Sequence, residues 1–180
     1  ATFEADPWVE DGITEYTATD LVICQSKTAR EAVEKLCGLM DKYGSSESNI
    51  ALIADQNEVW YVEMYSGHQY AAVKLPSDKV AAFGNEFTLE YLSDYEENIT
   101  SKELISLAEE NGFAVYGKNN EINLFDTYSG KEKATDYSHM RTWIGHQILA
   151  PSKFSADYNI NAMYPLMFTP DKNVSMEDVC

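Results

Sequence analysis

The sequence predicts an α+β fold in which antiparallel strands and helices occupy separate clusters, as in part of a layered αββα sandwich. Three segments of alternating polarity follow one another between residues 49 and 76, and short turn sequences separate them. Such a succession is typical of an antiparallel meander. Helical patterns stand before and after this cluster, whereas a doubly wound parallel sheet would need strands and helices in strict alternation.

The first 48 residues predict one strand and one helix. Residues 1–19 are acidic and rich in turn formers, and the apolar run at 21–24 is of the kind that a buried strand uses. A helix follows from Thr28, which forms a capping box with Glu31, to a C-cap at Gly44. Its predicted buried face comprises Ala29, Ala32, Val33, Leu36, Cys37, Met40 and Tyr43.

The middle of the chain predicts the sheet and a short helix. The meander strands are residues 49–55, 58–66 and 68–76, and residues 79–85 form a fourth short strand suited to burial on both faces. Thr100 and Glu103 form a second capping box. The helix that it opens runs through residues 104–108, and Asn111 and Gly112 end it.

The last third of the chain predicts one extended segment and one long helix. Residues 122–130 (INLFDTYSG) have an extended pattern. An amphipathic helix begins near Asp136 and ends before Pro151. Its expected apolar face carries Met140, Trp143, Ile144 and Ile148.

The two ends of the sequence predict a segment of a larger protein. Val174, Ser175 and Asp178 carry the N-terminal signature of a helix that the chain does not continue. At the other end there is no initiator Met and no recognisable first element. We therefore expect residues 1–180 to be a single domain that is an internal fragment of its parent.

Composition excludes several classes of partner. Thirteen Lys and Arg against 30 Asp and Glu give a formal charge of −17, which repels nucleic acid and anionic lipid. There is no apolar run long enough to span a membrane. Cys24, Cys37 and Cys180 are odd in number and lack zinc-ligand spacing, so neither a disulfide framework nor a zinc site is expected. The cellular compartment stays open.

Common catalytic and metal-binding patterns are also missing from the sequence. His139 and His146 stand two helical turns apart, roughly 10 Å along the axis, which is too far for a shared metal. A solvent-edge or hydrogen-bonding role is expected for both. Cys24 and Cys37 lie in apolar patterns typical of inert packing thiols. No nucleotide-binding loop or serine-hydrolase motif occurs, and we expect no cofactor.

Two polar residues within the sheet pattern are candidates for a site. Glu63 alternates with Trp60, Val62 and Met64 and so lies on the face of Tyr61 and Tyr65, where a carboxylate must find a partner or change its pKa. A purely structural pairing is the alternative. Asn85 ends the predicted fourth strand, where its amide either donates to a developing oxyanion or simply completes a turn.

Residues 43–87, from YGSSESN through WYVEMYSGHQY to FGNEF, resemble the central stretch of the bacterial dipeptidase A family. These are cysteine dipeptidases of the N-terminal nucleophile hydrolase superfamily. The segments ADPWVEDGITE, INLFDTYSGK and YSHMRTWIGHQ, the last followed by APSK, are similar to that family in the same order. The resemblance covers nearly all of the chain.

The resemblance implies an αββα sandwich and a cysteine that becomes residue 1 of the mature enzyme. Its thiol attacks the dipeptide carbonyl while its own α-amine acts as base. Residue 1 here is Ala1, so the nucleophile is expected on another part of the parent. The matching positions imply that Asn85 belongs to the oxyanion hole and that Arg141 lies near the nucleophile.

Glu63, Gly67 and His68 fall in the WxxE and GH signature of the resembled family. Glu63 and His68 are candidates for substrate binding, although they can equally frame the sheet. The partners implied are a dipeptide and the missing remainder of the parent chain, without which this chain is expected to be inactive. Homo-oligomerisation is left open.

Two rival functions remain at this point. One is another N-terminal nucleophile hydrolase that acts on acyl amides. The other is a noncatalytic module in which 12 tyrosines and three tryptophans provide a face for peptide or sugar. Burial of most aromatic side chains would favour the enzyme over the module.

Overall fold

A computed structural model describes residues 2–129 and 135–179. Ala1, Gly130 and Cys180, which carry parts of the predictions above, lie outside the described residues, as does the side chain of Asp178. The chain divides into two compact units. The first contains Ala1–Leu75 and Glu90–Lys131, and the second contains Pro76–Leu89 and Glu132–Cys180.

Three helices precede a central meander, and short strands and further helices follow it. In chain order they are α1 (Thr2–Ala5), α2 (Glu15–Ile23), α3 (Ala29–Tyr43), β1 (Asn49–Ala54), β2 (Val59–Met64), β3 (Tyr70–Lys74), β4 (Val80–Ala81), β5 (Asn98–Thr100), α4 (Leu104–Glu110), α5 (Leu124–Tyr128), α6 (Asp136–Leu149), β6 (Met167–Phe168) and α7 (Met176–Val179). The α+β class with antiparallel sheets is therefore confirmed.

The first unit is built on a four-stranded antiparallel sheet in the order β1-β2-β3-β5. The predicted meander is confirmed and forms its first three strands. The sequence pattern missed β5, because three residues are too few to show alternation. In the register of the sheet, Glu63 lies between Ile50 and Ala71 in the centre of the unit.

The core of the first unit lies between one face of this sheet and the helices α2 and α3. Thr28 caps α3 by accepting from the Glu31 amide, and Gly44 ends it with a φ of 68°. The predicted helix is confirmed, and Tyr43 is the one predicted core position that is exposed, at 49%. The buried residues on this side of β2 are Trp60, Val62 and Met64.

The strand predicted at residues 21–24 is wrong, because these residues end helix α2. The Thr14 side chain accepts from the Thr17 amide, and the Thr17 side chain accepts from the Thr14 amide in return. Ala18 and Val22, four residues apart, face the core, whereas Leu21 and Ile23 are exposed. Cys24 is exposed as well, contrary to the packing role expected for it, while Cys37 is buried as expected.

Helix α4 confirms the second predicted helix, but its cap is not the predicted one. Thr100 is the last residue of β5, and Glu103 occupies the N-cap position without a side-chain hydrogen bond. The extended segment predicted at 122–130 is also wrong over its described part. There the Asn123 side chain accepts from the Asp126 amide and starts the short helix α5.

The second unit pairs β4 with β6 and contains the long helix α6. Strand β4 has only two residues and is half-buried, so its predicted burial on both faces is wrong. Helix α6 is confirmed, yet it buries the opposite face to the one expected. Met140, Ile144 and Ile148 are exposed, whereas the buried positions are Ser138, His139, Thr142 and His146. Helix α7 begins directly after Ser175.

No helix in the described part of the chain combines the length and the apolarity that a membrane span requires.

The different burial of Cys24 and Cys37 predicts different thiol reactivity. Burial raises the pKa of the Cys37 thiol to about 12, so it carries almost no thiolate at neutral pH. We expect iodoacetamide to label Cys24 in the folded protein and to leave Cys37 unmodified, as read by peptide mass spectrometry. Protein in denaturant is the control, where both should react. Rapid labelling of Cys37 under native conditions would contradict this packing.

Candidate active site

A buried carboxylate, Asp6, organises the turn between β2 and β3 in the first unit. Its Oδ2 accepts hydrogen bonds from the Ser66 hydroxyl at 2.7 Å and from the His68 amide at 2.6 Å. Its Oδ1 lies 3.2 Å from Nδ1 of the His68 imidazole. The Gln69 side-chain amide also donates to Oδ2, at 3.4 Å, so groups of one turn converge on a single side chain 60 to 63 residues away in sequence.

The hydrogen bonds to Asp6 favour its charged form. Burial alone raises the pKa of Asp6, but the His68 amide, the Ser66 hydroxyl and the His68 imidazole together outweigh burial, and the net pKa is lowered. The carboxylate is therefore charged at neutral pH. The His68 side chain beside it remains 43% exposed.

Gly67 is required because the backbone of residues 6 and 7 passes very close to it. A Cβ at this position would lie 2.2 Å from the carbonyl oxygen of Pro7, which no side chain can occupy. The Gly67 amide also donates to the Asp6 carbonyl at 3.3 Å. In the GH signature, the glycine thus permits the approach of residues 6–7, and the histidine binds the Asp6 carboxylate.

Glu63 is completely buried on β2 among aromatic rings, as the alternation of the strand indicates. The Tyr61 hydroxyl donates to its Oε1 at 2.6 Å. Burial, together with the charge and hydrogen bonding of Glu63, raises the pKa of Tyr65 well above its ordinary value. Tyr65 in turn stacks on Tyr128 of α5 with ring centres 4.7 Å apart. Tyrosine hydroxyls are therefore among the partners that Glu63 requires.

Asn85 and Arg141 belong to the second unit, whereas Glu63 and His68 belong to the first. Asn85 lies on an exposed bend after β4. Arg141 is exposed on α6, where its Nη2 donates to the Ser138 hydroxyl at 3.2 Å and its guanidinium lies 4.6 Å above the Tyr137 ring. Both side chains are available to a ligand.

The two residues that flank Asn85 are bonded to α6. The Gly84 amide donates to the Thr142 hydroxyl oxygen at 2.8 Å. The Thr142 hydroxyl donates to a Glu86 carboxylate oxygen, and Nδ1 of His139 lies 3.1 Å from the other. The sequence patterns did not single out Glu86 or Thr142, because nothing local distinguishes them from solvated polar residues.

His146 is a fully buried residue of the second unit. Its Nδ1 lies 2.8 Å from the Thr142 carbonyl oxygen and its Nε2 lies 3.0 Å from that of Pro165, while its ring stacks on Phe168. Burial lowers the pKa of His146, although the two carbonyl contacts oppose the shift. The hydrogen-bonding role expected for both histidines is confirmed, but neither is at a solvent edge.

Within residues 2–129 and 135–179, no group of three or more His, Cys, Asp or Glu side chains is placed to hold a metal ion.

Comparison with known proteins shows the family of this chain. The model of peptidase family C69 matches residues 1–180. This chain belongs to peptidase family C69. The family has the N-terminal nucleophile hydrolase fold, which agrees with the mixed helices and antiparallel sheets described above.

Curated relatives in this family carry dipeptidase names. The chain is 33% identical over 177 residues to a probable dipeptidase B of Streptococcus pyogenes serotype M1, covering 96% of this chain and 34% of that protein. It is 32% identical over 179 residues to a probable dipeptidase B of Lactococcus lactis, covering 97% and 37%. A dipeptidase of Bifidobacterium longum is 28% identical over 190 residues, covering 97% and 35%. The chain thus spans about a third of the length of these relatives.

The lowered pKa of Asp6 predicts a pH-dependent contribution to stability. A carboxylate whose pKa is lower in the folded than in the unfolded state stabilises the fold above its ordinary pKa of 3.8 and loses that effect as pH falls through the folded value. We expect Asp6→Asn to lower the free energy of unfolding by about 1–3 kcal/mol at pH 7. Urea unfolding at pH 7 and at pH 3 measures this.

The difference between Asp6→Asn and the parent should shrink at the lower pH, because pH 3 lies below the ordinary pKa of 3.8 and the carboxyl group of the unfolded chain then binds a proton. Asp20→Asn, at an exposed position of α2, is the matched control and should change stability little at either pH. An equal loss for both variants would show that the contacts of Asp6 add no stability.

Proposed function

We propose that residues 1–180 form an internal part of a cysteine dipeptidase whose nucleophile lies outside this chain. The match of peptidase family C69 to residues 1–180 carries the proposal, and the dipeptidase names of the relatives support the substrate class. In this proposal the chain lacks the N-terminal strands that bear the cysteine and the C-terminal helices. Cys24 and Cys37 are internal residues without a free α-amine, so in this proposal another part of the parent supplies the nucleophile and the chain alone is inactive.

The reaction requires a thiol and a base on the same N-terminal residue. The sulfur attacks the carbonyl carbon of the dipeptide while the α-amine accepts the thiol proton. Collapse of the tetrahedral intermediate breaks the C–N bond, and the departing amine takes up that proton. Water then hydrolyses the thioester, which releases the second amino acid and restores the thiol.

Asn85 and Arg141 are proposed to stabilise charge during these steps. The Asn85 side chain is exposed on a bend whose neighbours on both sides are hydrogen-bonded, so its amide can donate to the oxyanion from a fixed backbone. Arg141 presents an exposed guanidinium on α6. A guanidinium favours a nearby thiolate and the negative charge of the intermediate.

His68 and Glu63 are proposed to serve the substrate in different ways. The His68 imidazole is 43% exposed while its Nδ1 faces Asp6, so its other ring nitrogen can contact the polar end of a dipeptide. Glu63 has no exposed surface. We propose that it acts through the hydroxyl groups of Tyr61 and Tyr65 and that it frames the sheet beneath the substrate.

The placement of the aromatic residues supports an enzyme over an aromatic binding module. Trp60, Tyr61 and Tyr65 have at most 1% of their surface exposed, so they belong to the interior of the first unit. Four exposed tyrosines lie far apart in the sequence, at Tyr16, Tyr43, Tyr116 and Tyr137. Buried rings can fill a core but cannot present a recognition face.

A substrate panel on the full-length gene product tests the proposal. We expect hydrolysis of dipeptides and little activity on acylated amides, with complete loss when the N-terminal cysteine is replaced by alanine. Activity on acylated amides alone would remove the dipeptidase assignment. A gene without an upstream cysteine that can become N-terminal would remove the mechanism.

Replacement of Asn85 should affect the chemical step more than binding. We expect Asn85→Ala in the full-length enzyme to lower kcat by about 100- to 1,000-fold, the usual effect of removing one oxyanion donor. KM and Tm should change little, because the Asn85 side chain is exposed. Asn57→Ala, in the exposed turn after β1, is the matched control and should retain full activity. Equal kcat values for the two variants would exclude Asn85 from the oxyanion hole.

A further inference from the structure

We propose that Thr142, Glu86 and His139 position Asn85 for catalysis, with Thr142 as the central residue. We call these three side chains and the Gly84 amide the Thr142 clip. The inference rests on the proposed function, because it concerns how the oxyanion donor is held. None of the three side chains is proposed to touch the substrate.

The Thr142 hydroxyl makes its two shortest hydrogen bonds to the segment that carries Asn85, and its contact with the Ser138 carbonyl oxygen of its own helix is longer, at 3.4 Å. Its oxygen accepts from the Gly84 amide at 2.8 Å, and its proton is donated to the Glu86 carboxylate. One hydroxyl therefore binds the residue before Asn85 and the residue after it. The backbone of residue 85 is held on both sides, so the direction of its side chain is determined by α6.

The same contacts relate Asn85 to Arg141. Thr142 follows Arg141 directly on α6, and His139 lies two residues before it. Both side chains that bind Glu86 thus come from the turn of the helix that carries the proposed charge-stabilising guanidinium. A shift of residues 84–86 along α6 would change the separation of the Asn85 amide and the Arg141 guanidinium.

Residues 82–84 lie in close contact with the helix, so small displacements matter. A Cβ on Gly84 would lie 2.1 Å from the Ser138 carbonyl oxygen, and a Cβ on Gly145 would lie 2.6 Å from the side-chain Cβ of Ala82. Only glycine allows this approach at positions 84 and 145. The approach puts Gly84 within hydrogen-bonding distance of the short Thr142 side chain.

Because they are buried, these hydrogen bonds are stronger than surface contacts, and the loss of one of them costs more free energy. Thr142 is 1% exposed, and the side chains of Glu86 and His139 are 5% and 10% exposed. Hydrogen bonds to a charged acceptor are short and strong in such surroundings. Nε2 of His139 has no hydrogen-bond partner among the residues that the structure describes, so its hydrogen bonding there serves Glu86 alone.

The test compares Thr142→Val with Thr142→Ser in the full-length enzyme. Valine keeps the shape of threonine but removes both hydrogen bonds, whereas serine keeps the hydroxyl. We expect Thr142→Val to lower kcat by about 10- to 100-fold, because a small displacement of a catalytic donor has effects of this size. KM should change little, and Thr142→Ser should restore most of kcat.

Thr19→Val is the matched control, because Thr19 is an exposed helical threonine whose hydroxyl donates to the Glu15 carbonyl within α2. It should leave kcat unchanged. Glu86→Gln offers a second variant if Thr142→Val does not fold. Its fold-decrease in kcat should also be larger than any fold-increase in KM. An unchanged kcat in Thr142→Val, or an equal loss in the serine and valine variants, would overturn the proposal.

Amide hydrogen exchange gives a readout that does not depend on turnover. We expect the amide of Gly84 to exchange faster in Thr142→Val than in the parent, with no change in Thr19→Val. Wild-type enzyme that fails to cleave dipeptides would refute the proposed function, whereas unaltered exchange in Thr142→Val would refute the clip. The two failures are thereby distinguished.

Discussion

The burial of β2 on both faces is the constraint on which the first unit depends. Trp60, Val62 and Met64 pack towards the helices, so the intervening residues must also be accommodated away from water. A carboxylate at Glu63 is tolerated because the Tyr61 hydroxyl donates to it. An unpaired buried carboxylate would be strongly unfavourable. The antiparallel register places Glu63 between Ile50 of β1 and Ala71 of β3. The neighbouring strands must therefore carry residues that fit beside a buried carboxylate.

The sequence predicted those elements whose signals are local. Helix α3 has apolar residues at helical spacing and recognisable caps, and the meander has alternating polar and apolar residues separated by turns. Both were therefore predicted correctly. Helix α2 was missed because Thr17, and not the usual Glu, completes its capping box, and α5 was missed because its five residues are too few to show helical periodicity. The face of α6 was assigned wrongly for a different reason. Periodicity locates two faces of a helix, but which face is buried depends on long-range contacts such as that of His139 with Glu86, 53 residues away.

For the candidate site, too, the sequence indicated the residues that have a local signal and not those that depend on distant contacts. Glu63 and Asn85 became candidates from the sheet pattern as well as from the resemblance to a known family, whereas Arg141 and His68 became candidates from the resemblance alone. Asp6 and Thr142 were not found, since their hydrogen-bonding partners are remote in sequence and their own neighbours are unremarkable polar residues. A glycine pattern offered the only local signal. Gly67 and Gly84 each precede a candidate residue, and each is required by a backbone that passes too closely for a side chain.

In each of the two units, a buried carboxylate is bound by a hydroxyl group and by an imidazole ring. In the first, a buried carboxylate at Asp6 accepts from a hydroxyl at Ser66 and contacts Nδ1 of His68. In the second, Glu86 accepts from the Thr142 hydroxyl and contacts Nδ1 of His139. Each arrangement joins a glycine-containing turn to a distant segment and leaves a polar side chain exposed beside it, His68 in one case and Asn85 in the other.

A hydroxyl and an imidazole can satisfy a carboxylate without a long, flexible cation, so little side-chain entropy is lost on ordering them. A protein that must hold an exposed donor in one direction gains more from such short buried pairs than from surface ion pairs, because buried charge-assisted bonds do not exchange readily with water.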